Sequence, residues 1–135
     1  MAILGTGLRR LADGTAVLDL AGELDMSTSA KFRGAVDRAL HGGVVSRLRL
    51  DVARLTFVDS TGLGELVAAR RAAEAADAVV VVANPGPFVL HLLRISGLAD
   101  MLVGPSGVAP IERMRAAERK ASRHGHGRPR ATPQR

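Results

Sequence analysis

Hydrophobic and polar residues alternate along this chain with two different periods, and each period predicts one kind of element. From Leu48 to Val52, apolar side chains occupy every second position with arginine or aspartate between them, the pattern of a half-buried strand. Farther on, Leu63, Leu66 and Val67 recur at the spacing of one helix face. The chain is therefore predicted to pass from strand to helix across residues 57–64.

The same reasoning divides the rest of the chain into elements. Apolar runs at 8–11 and 16–20 flank Asp13-Gly14, a dipeptide typical of a hairpin turn. The run Val79–Ala83 is continuous and β-branched, which favours a strand buried on both faces and therefore central in the sheet. Met101–Val103 is predicted as a short last strand. Helices are predicted from Ser27 or Thr28 to Gly42 (with Phe32, Val36, Ala39 and Leu40 on its buried face), from Ser60 to about Ala76, around 88–95, and from Pro110 onward.

The resulting order, β-β-α-β-α-β-α-β-α, defines the expected fold class. Strands that alternate with helices favour a parallel sheet, whereas the first two strands are joined by a tight turn. We therefore predict an α/β fold. Its mixed β-sheet has an N-terminal antiparallel hairpin, its remaining strands are mostly parallel, and helices pack on it.

The distribution of charge changes the picture at the C-terminal end. The 135-residue chain has a net charge of +6, no cysteine, and three Phe as its only aromatic residues. Residues 1–112 carry 11 Lys and Arg against 12 Asp and Glu, whereas residues 113–135 carry 8 against 1. We predict one domain over 1–120 and a basic, disordered tail over 121–135. Neither a signal peptide nor a membrane-spanning run is apparent, so we expect a cytoplasmic protein.

The predicted strand-to-helix junction holds the candidate chemistry. Asp59, Ser60 and Thr61 are all residue types that cap helices. The free N–H groups and the dipole at a helix N-terminus favour negative charge, so a phosphate on Ser60 would be tolerated there. From the residues alone, Ser60 either only caps the helix or accepts a phosphate.

The sequence offers little for catalysis. It has no Gly-rich phosphate-binding loop ending in Gly-Lys, and Val58 stands where a hydrolase nucleophile elbow needs glycine. We interpret His91 as a partly buried structural histidine, because no carboxylate or nucleophile is spaced to orient it. His124 and His126 are two residues apart and could contact a metal weakly, but no other ligand type accompanies them. We therefore expect no enzyme activity, no cofactor and no metal.

Three motifs in consistent order resemble those of the anti-sigma factor antagonists, the small stand-alone members of the STAS domain family in bacteria. The resemblance spans residues of about 8 to 117. The motifs are Gly22-Glu23-Leu24-Asp25, Phe57-Val58-Asp59-Ser60-Thr61-Gly62-Leu63-Gly64 and Ile95-Ser96-Gly97-Leu98. The family's fold, a mixed sheet with helices packed on it, agrees with the predicted order.

The resemblance implies a phosphorylation-dependent switch in transcription regulation and stress response. The unphosphorylated form would bind an anti-sigma factor that is also a Ser/Thr kinase, and so free the sigma factor. Phosphorylation at Ser60 would release the kinase, and a phosphatase would reset the switch. No contact with nucleic acid or membrane is expected.

The resemblance also assigns roles to individual residues. Ser60 would be the phosphoacceptor, Asp59 its flanking acid and Thr61 a less favoured acceptor, while Asp25 would lie near Ser60. Glu65 departs from the family pattern, in which this position is usually aliphatic, and its angle of about 200° from Leu63 predicts an exposed side chain. The predicted partner-binding surface comprises Asp25, Asp59, Ser60, Thr61, Gly62 and Glu65.

Three alternatives stay open at this point. The same fold could serve as a scaffold or a small-ligand or nucleotide sensor that is never phosphorylated. An enzyme could use Ser60 as a nucleophile, although a base is missing. The basic tail could bind nucleic acid by charge alone, although it lacks aromatic residues for stacking.

Overall fold

The computed structural model describes residues 2–103, which form one mixed sheet with helices packed against it. The strands are β1 (Leu4–Arg10), β2 (Thr15–Leu24), β3 (Arg47–Val58) and β4 (Val79–Ala83). The helices are α1 (Ser29–His41), α2 (Ser60–Ala75), α3 (Pro87–Ile95) and the single turn α4 (Ala99–Leu102). The predicted helix from Pro110 and the predicted tail lie outside the described residues.

The sheet has the mixed topology predicted from the sequence. Its order is β1-β2-β3-β4, with β1 antiparallel to β2 and both other pairs parallel. The hairpin turns at Asp13-Gly14, where an Asp13 carboxylate oxygen accepts a hydrogen bond from the Thr15 N–H at 3.0 Å and Gly14 has a φ of +88°. A positive φ suits glycine, which has no Cβ. The predicted hairpin is therefore confirmed.

Helices α1 and α2 contact each other and cover one face of the sheet, α1 over β1 and β2 and α2 over β3 and β4. The four residues predicted to form the buried face of α1 are all buried. They pack against alternate residues of the central strands, such as Leu18, Leu50 and Val52, each at most 1% exposed. The core is aliphatic apart from Phe32, as the scarcity of aromatic residues requires.

The prediction that Val79–Ala83 lies at the centre of the sheet is wrong for the part of the chain that the structure describes. β4 is the last strand in the order, and Val79 is 62% exposed. Val80 and Val82 are buried, whereas Val81 is only half-buried. Most of the buried side chains of β4 therefore lie on one face of the strand. A continuous run of valines does not show from sequence alone whether one face of the strand is covered or both are.

The prediction of a strand at Met101–Val103 is also wrong, because Met101 and Leu102 belong to the helical turn α4. The Leu102 N–H donates to the Leu98 carbonyl at 3.0 Å, and the Val103 N–H donates to the Ala99 carbonyl at 2.7 Å. The turn buries Leu102 and Val103 against the core. The order of elements through residue 103 is therefore β-β-α-β-α-β-α-α.

The helices of the described region are too short or too polar to span a bilayer.

Candidate functional site

The junction between β3 and α2 is capped by Asp59. This residue has an extended backbone, and its carboxylate accepts a hydrogen bond from the Gly62 N–H at 2.8 Å. An acidic N-cap satisfies one free N–H and complements the helix dipole. Ser60 is therefore the first residue inside α2 and not its cap, so the interpretation of Ser60 as only a capping residue is wrong.

The Ser60 side chain is free to react with a partner. It is exposed, and no group within residues 2–103 shares a hydrogen bond with its hydroxyl. Thr61, the neighbouring hydroxyl, is half-buried. Since Asp59 already makes the capping bond, chemical modification of Ser60 would remove no hydrogen bond from the described fold.

A second corner of the chain lies against this junction. In the parallel pairing of β2 with β3, Leu24 is the register partner of Val58, and the Asp59 N–H reaches the Leu24 carbonyl at 3.4 Å. Gly62 approaches the same carbonyl so closely that a Cβ there would lie 2.3 Å from its oxygen. Asp25 directly follows Leu24, so the predicted residues Asp25, Asp59 and Gly62 gather at one end of the sheet.

The Asp25 carboxylate is fixed within its own turn. One of its oxygens accepts hydrogen bonds from the Ser27 hydroxyl at 2.7 Å, from the Ser27 N–H at 2.9 Å and from the Thr28 N–H at 3.2 Å. The hydrogen bond from the Ser27 hydroxyl is the largest cause of a lowered pKa for this carboxyl, and the backbone donors add to it. Asp25 therefore carries a negative charge at neutral pH, beside the Ser60 junction.

Glu65 does not lie on the exposed surface as predicted. Its side chain is 11% exposed and points into a groove of about 170 Å³ between α1 and α2, where one carboxylate oxygen lies 2.6 Å from an Arg33 guanidinium nitrogen. The other oxygen is buried without a hydrogen-bond partner in the described part of the chain. Two faces of α2 are covered, one by the sheet and one by α1, so an angle measured from Leu63 alone could not locate its exposed side.

Glu65→Lys is therefore expected to destabilise the fold by about 2 kcal/mol, since it places an ammonium beside the Arg33 guanidinium and removes the ion pair that a mostly buried carboxylate makes with it. Glu74→Lys is the matched control on the same helix, because Glu74 is 53% exposed and pairs with Arg70 at 3.3 Å across one turn. That change should cost no more than about 0.5 kcal/mol. Urea unfolding of both variants measures the difference, and equal losses would contradict the buried position of Glu65.

The two histidines of the described region, His41 and His91, differ in their surroundings. His91 is exposed, not partly buried as interpreted from the sequence, and His41 is paired with Asp37 one turn away on α1. Within residues 2–103, no three His, Cys, Asp or Glu side chains converge as a metal site would require.

Two residues near the junction were not identified as site residues from the sequence. Phe57 lies at the end of β3 and Phe88 in the first turn of α3, and their rings stack with centroids 6.2 Å apart. Phe88 is 48% exposed, because Val89, Leu90 and Leu93 form the buried face of α3. The rarity of aromatic residues was the one signal in the sequence that could have singled them out.

Comparison with known proteins places the chain among proteins of this architecture. The model of a family described as "Mlab, STAS domain" matches residues 8–104. An anti-sigma F factor antagonist from Lysinibacillus sphaericus is 29% identical over 101 residues, which make up 75% of this chain and 86% of that protein. An anti-sigma-B factor antagonist from Listeria monocytogenes is 31% identical over 84 residues, or 62% of this chain and 72% of that protein.

Solved structures agree with these relatives. The anti-sigma factor antagonist SpoIIAA in its unphosphorylated form is similar with a TM-score of 0.65 and 25% identity, covering 92% of this chain and 100% of that one. The phosphorylated form of SpoIIAA from Bacillus gives a TM-score of 0.60 and 26% identity, covering 86% and 99%. The chain therefore belongs to the STAS domain family, and the relatives named above are anti-sigma factor antagonists.

Proposed function

We propose that this chain is an anti-sigma factor antagonist that switches partners through phosphorylation of Ser60. In its unphosphorylated form it binds an anti-sigma factor that is also a Ser/Thr kinase, and that binding frees a sigma factor. The kinase transfers the γ-phosphoryl group of ATP to the Ser60 hydroxyl, and the phosphorylated chain dissociates. A phosphatase hydrolyses the phosphoserine and restores the binding form.

The observation that carries this proposal is the state of the Ser60 hydroxyl. It is exposed at the first residue of α2 and has no hydrogen-bond partner within residues 2–103, while Asp59 caps the helix. A kinase can therefore reach the hydroxyl without displacing any part of the described fold. The similarity to a protein solved in both unphosphorylated and phosphorylated forms supports the same interpretation.

Electrostatics explains how one phosphate can reverse binding while leaving the fold intact. A phosphoserine adds about −1.5 to −2 charges, and the N-terminus of a helix stabilises negative charge. The surface around Ser60 already carries the carboxylates of Asp25 and Asp59. A partner that packs closely against the unmodified Ser60 hydroxyl must desolvate the new charge and make room for the phosphate, so its affinity falls. Each loss of about 1.4 kcal/mol is a tenfold loss of affinity.

The experiment that tests the proposal is phosphosite mapping. The full chain is incubated with ATP and the anti-sigma factor kinase recovered from the host on immobilised chain, then digested and analysed by mass spectrometry. We expect phosphate on Ser60 and none on Ser60→Ala. Phosphate on Thr61 with Ser60 unmodified would show that the acceptor is assigned to the wrong residue. A bound kinase that is active on another substrate but modifies neither hydroxyl would contradict the switch.

A further inference from the structure

The stacked pair Phe57 and Phe88 leaves much of its aromatic surface in water. The two rings are nearly parallel, with an interplanar angle of 19°, and the residues are 41% and 48% exposed. Stacking shields one face of each ring, and two fifths or more of each residue's surface stays exposed to solvent. The pair joins two elements that are distant in sequence, the end of β3 and the start of α3.

Exposed aromatic rings are unusual in a chain with this composition. The sequence has three Phe and no Trp or Tyr, and the third phenylalanine, Phe32, is only 1% exposed in the core. Leaving large apolar side chains in water forgoes about 1.5–3 kcal/mol for each one that could be buried. Aromatic residues are enriched at protein–protein interfaces, where a few buried side chains carry most of the binding energy. The pair therefore has the chemistry of a docking anchor.

The position of the pair identifies which partner would cover it. Phe57 precedes Ser60 by three residues, so their Cα atoms are at most about 11 Å apart. A stable protein–protein interface covers about 800 Å² on each partner, a patch of roughly 16 Å radius. An interface of that size centred on Ser60 takes in Phe57, and Phe88 stacks directly on Phe57. One interface of standard size can thus cover both the aromatic pair and the phosphorylation site.

We propose that Phe57 and Phe88 form an apolar anchor that docks on an apolar surface of the anti-sigma factor kinase. The inference rests on the proposed function and extends the partner surface beyond the acidic and hydroxyl residues around Ser60. The anchor supplies affinity that does not depend on phosphate, because apolar contacts respond only weakly to charge. Ser60 then sets whether the complex persists, and the aromatic pair sets how tightly the unphosphorylated form is held.

The test uses the purified kinase that has been shown to phosphorylate Ser60, with isothermal titration calorimetry on the full chain. Phe88→Ala should weaken binding of the unphosphorylated chain about tenfold or more, as truncation of an interface hot spot does. Val44→Ala is the control: Val44 is 97% exposed but lies before the amino end of β3, roughly 40 Å from Phe57 along that strand. The affinity of Val44→Ala for the kinase should match that of the wild type. Thermal unfolding establishes that each variant is folded.

A second measurement keeps an aromatic side chain at position 88, so it does not depend on truncating the phenylalanine. A photoreactive benzoyl-phenylalanine placed at position 88 should crosslink to the kinase, whereas the same group at position 44 should not. The anchor would be disproved if a kinase that phosphorylates Ser60 bound folded Phe88→Ala as tightly as the wild type, or if it failed to crosslink at position 88. Either result would leave the proposed switch at Ser60 unaffected. A wild-type chain that binds no kinase would overturn the proposed function and the anchor together.

Discussion

Ser60→Ala is expected to stay bound to the anti-sigma factor kinase after ATP is added, whereas the wild-type chain is released within the same reaction. Ser60→Asp should bind about tenfold more weakly than the wild type even without ATP, since it places a negative charge at the exposed start of α2. Its effect should be smaller than that of true phosphate, which carries more charge and more oxygens. Isothermal titration calorimetry with and without ATP measures all three proteins.

Thr61→Ala is the matched control for these variants. Thr61 is the adjacent hydroxyl on the same helix turn, but it is half-buried where Ser60 is exposed. This variant should be released by ATP as the wild type is. Release of Ser60→Ala at the wild-type rate, or unchanged affinity of Ser60→Asp, would show that the switch does not operate through this hydroxyl.

Gly62→Ala is expected to lower the free energy of unfolding by about 3 kcal/mol, as overpacking against fixed backbone does. A Cβ at this position would lie 2.3 Å from the Leu24 carbonyl oxygen and 2.8 Å from a Val58 methyl carbon. Both neighbours are buried at strand ends, so neither can move aside without disturbing the pairing of β2 with β3. Urea unfolding followed by circular dichroism measures the loss.

Gly64→Ala provides the comparison that isolates this steric effect. Gly64 lies two residues farther along α2 and is exposed, and a Cβ added there would meet no atom within 4 Å. Alanine is a better helix former than glycine by about 1 kcal/mol, so this variant should be as stable as the wild type or slightly more so. If both variants gained stability alike, the close approach of α2 to the end of β2 would be disproved.

Much of the fold could be predicted from the sequence, because an element that buries a single face has apolar residues at a regular spacing. The periodic apolar residues of α1, the alternation of β3 and the Asp13-Gly14 turn each had one physical explanation, and each is confirmed. The junction at Ser60 was predictable for the same reason, since two periods meet there.

The predictions that are wrong concern positions whose environment is set by tertiary contacts, which a short apolar run or one helical angle does not reveal. Met101–Val103 is too short for its period to distinguish a strand from a helical turn, and Val79–Ala83 does not reveal how many of its faces are covered. The prediction that Glu65 is exposed used its angle from Leu63, which is itself only partly buried. The residues that α2 does bury are Gly62, Leu66, Ala69 and Ala73. The contact of α2 with α1 that shields Glu65 comes from packing between helices, which the pattern of one helix does not contain.

The parallel pairing of β2 with β3 has a consequence for what a partner can recognise. Leu24 and Val58 are register partners although 34 residues separate them, so the corner at Asp25 meets the Ser60 junction only in a folded chain. A partner that contacts both the Asp25 corner and the Ser60 junction cannot bind both in an unfolded chain or in a short peptide around Ser60. An unfolded chain would lack the surface that such a partner recognises, so phosphorylation at Ser60 would be restricted to folded molecules.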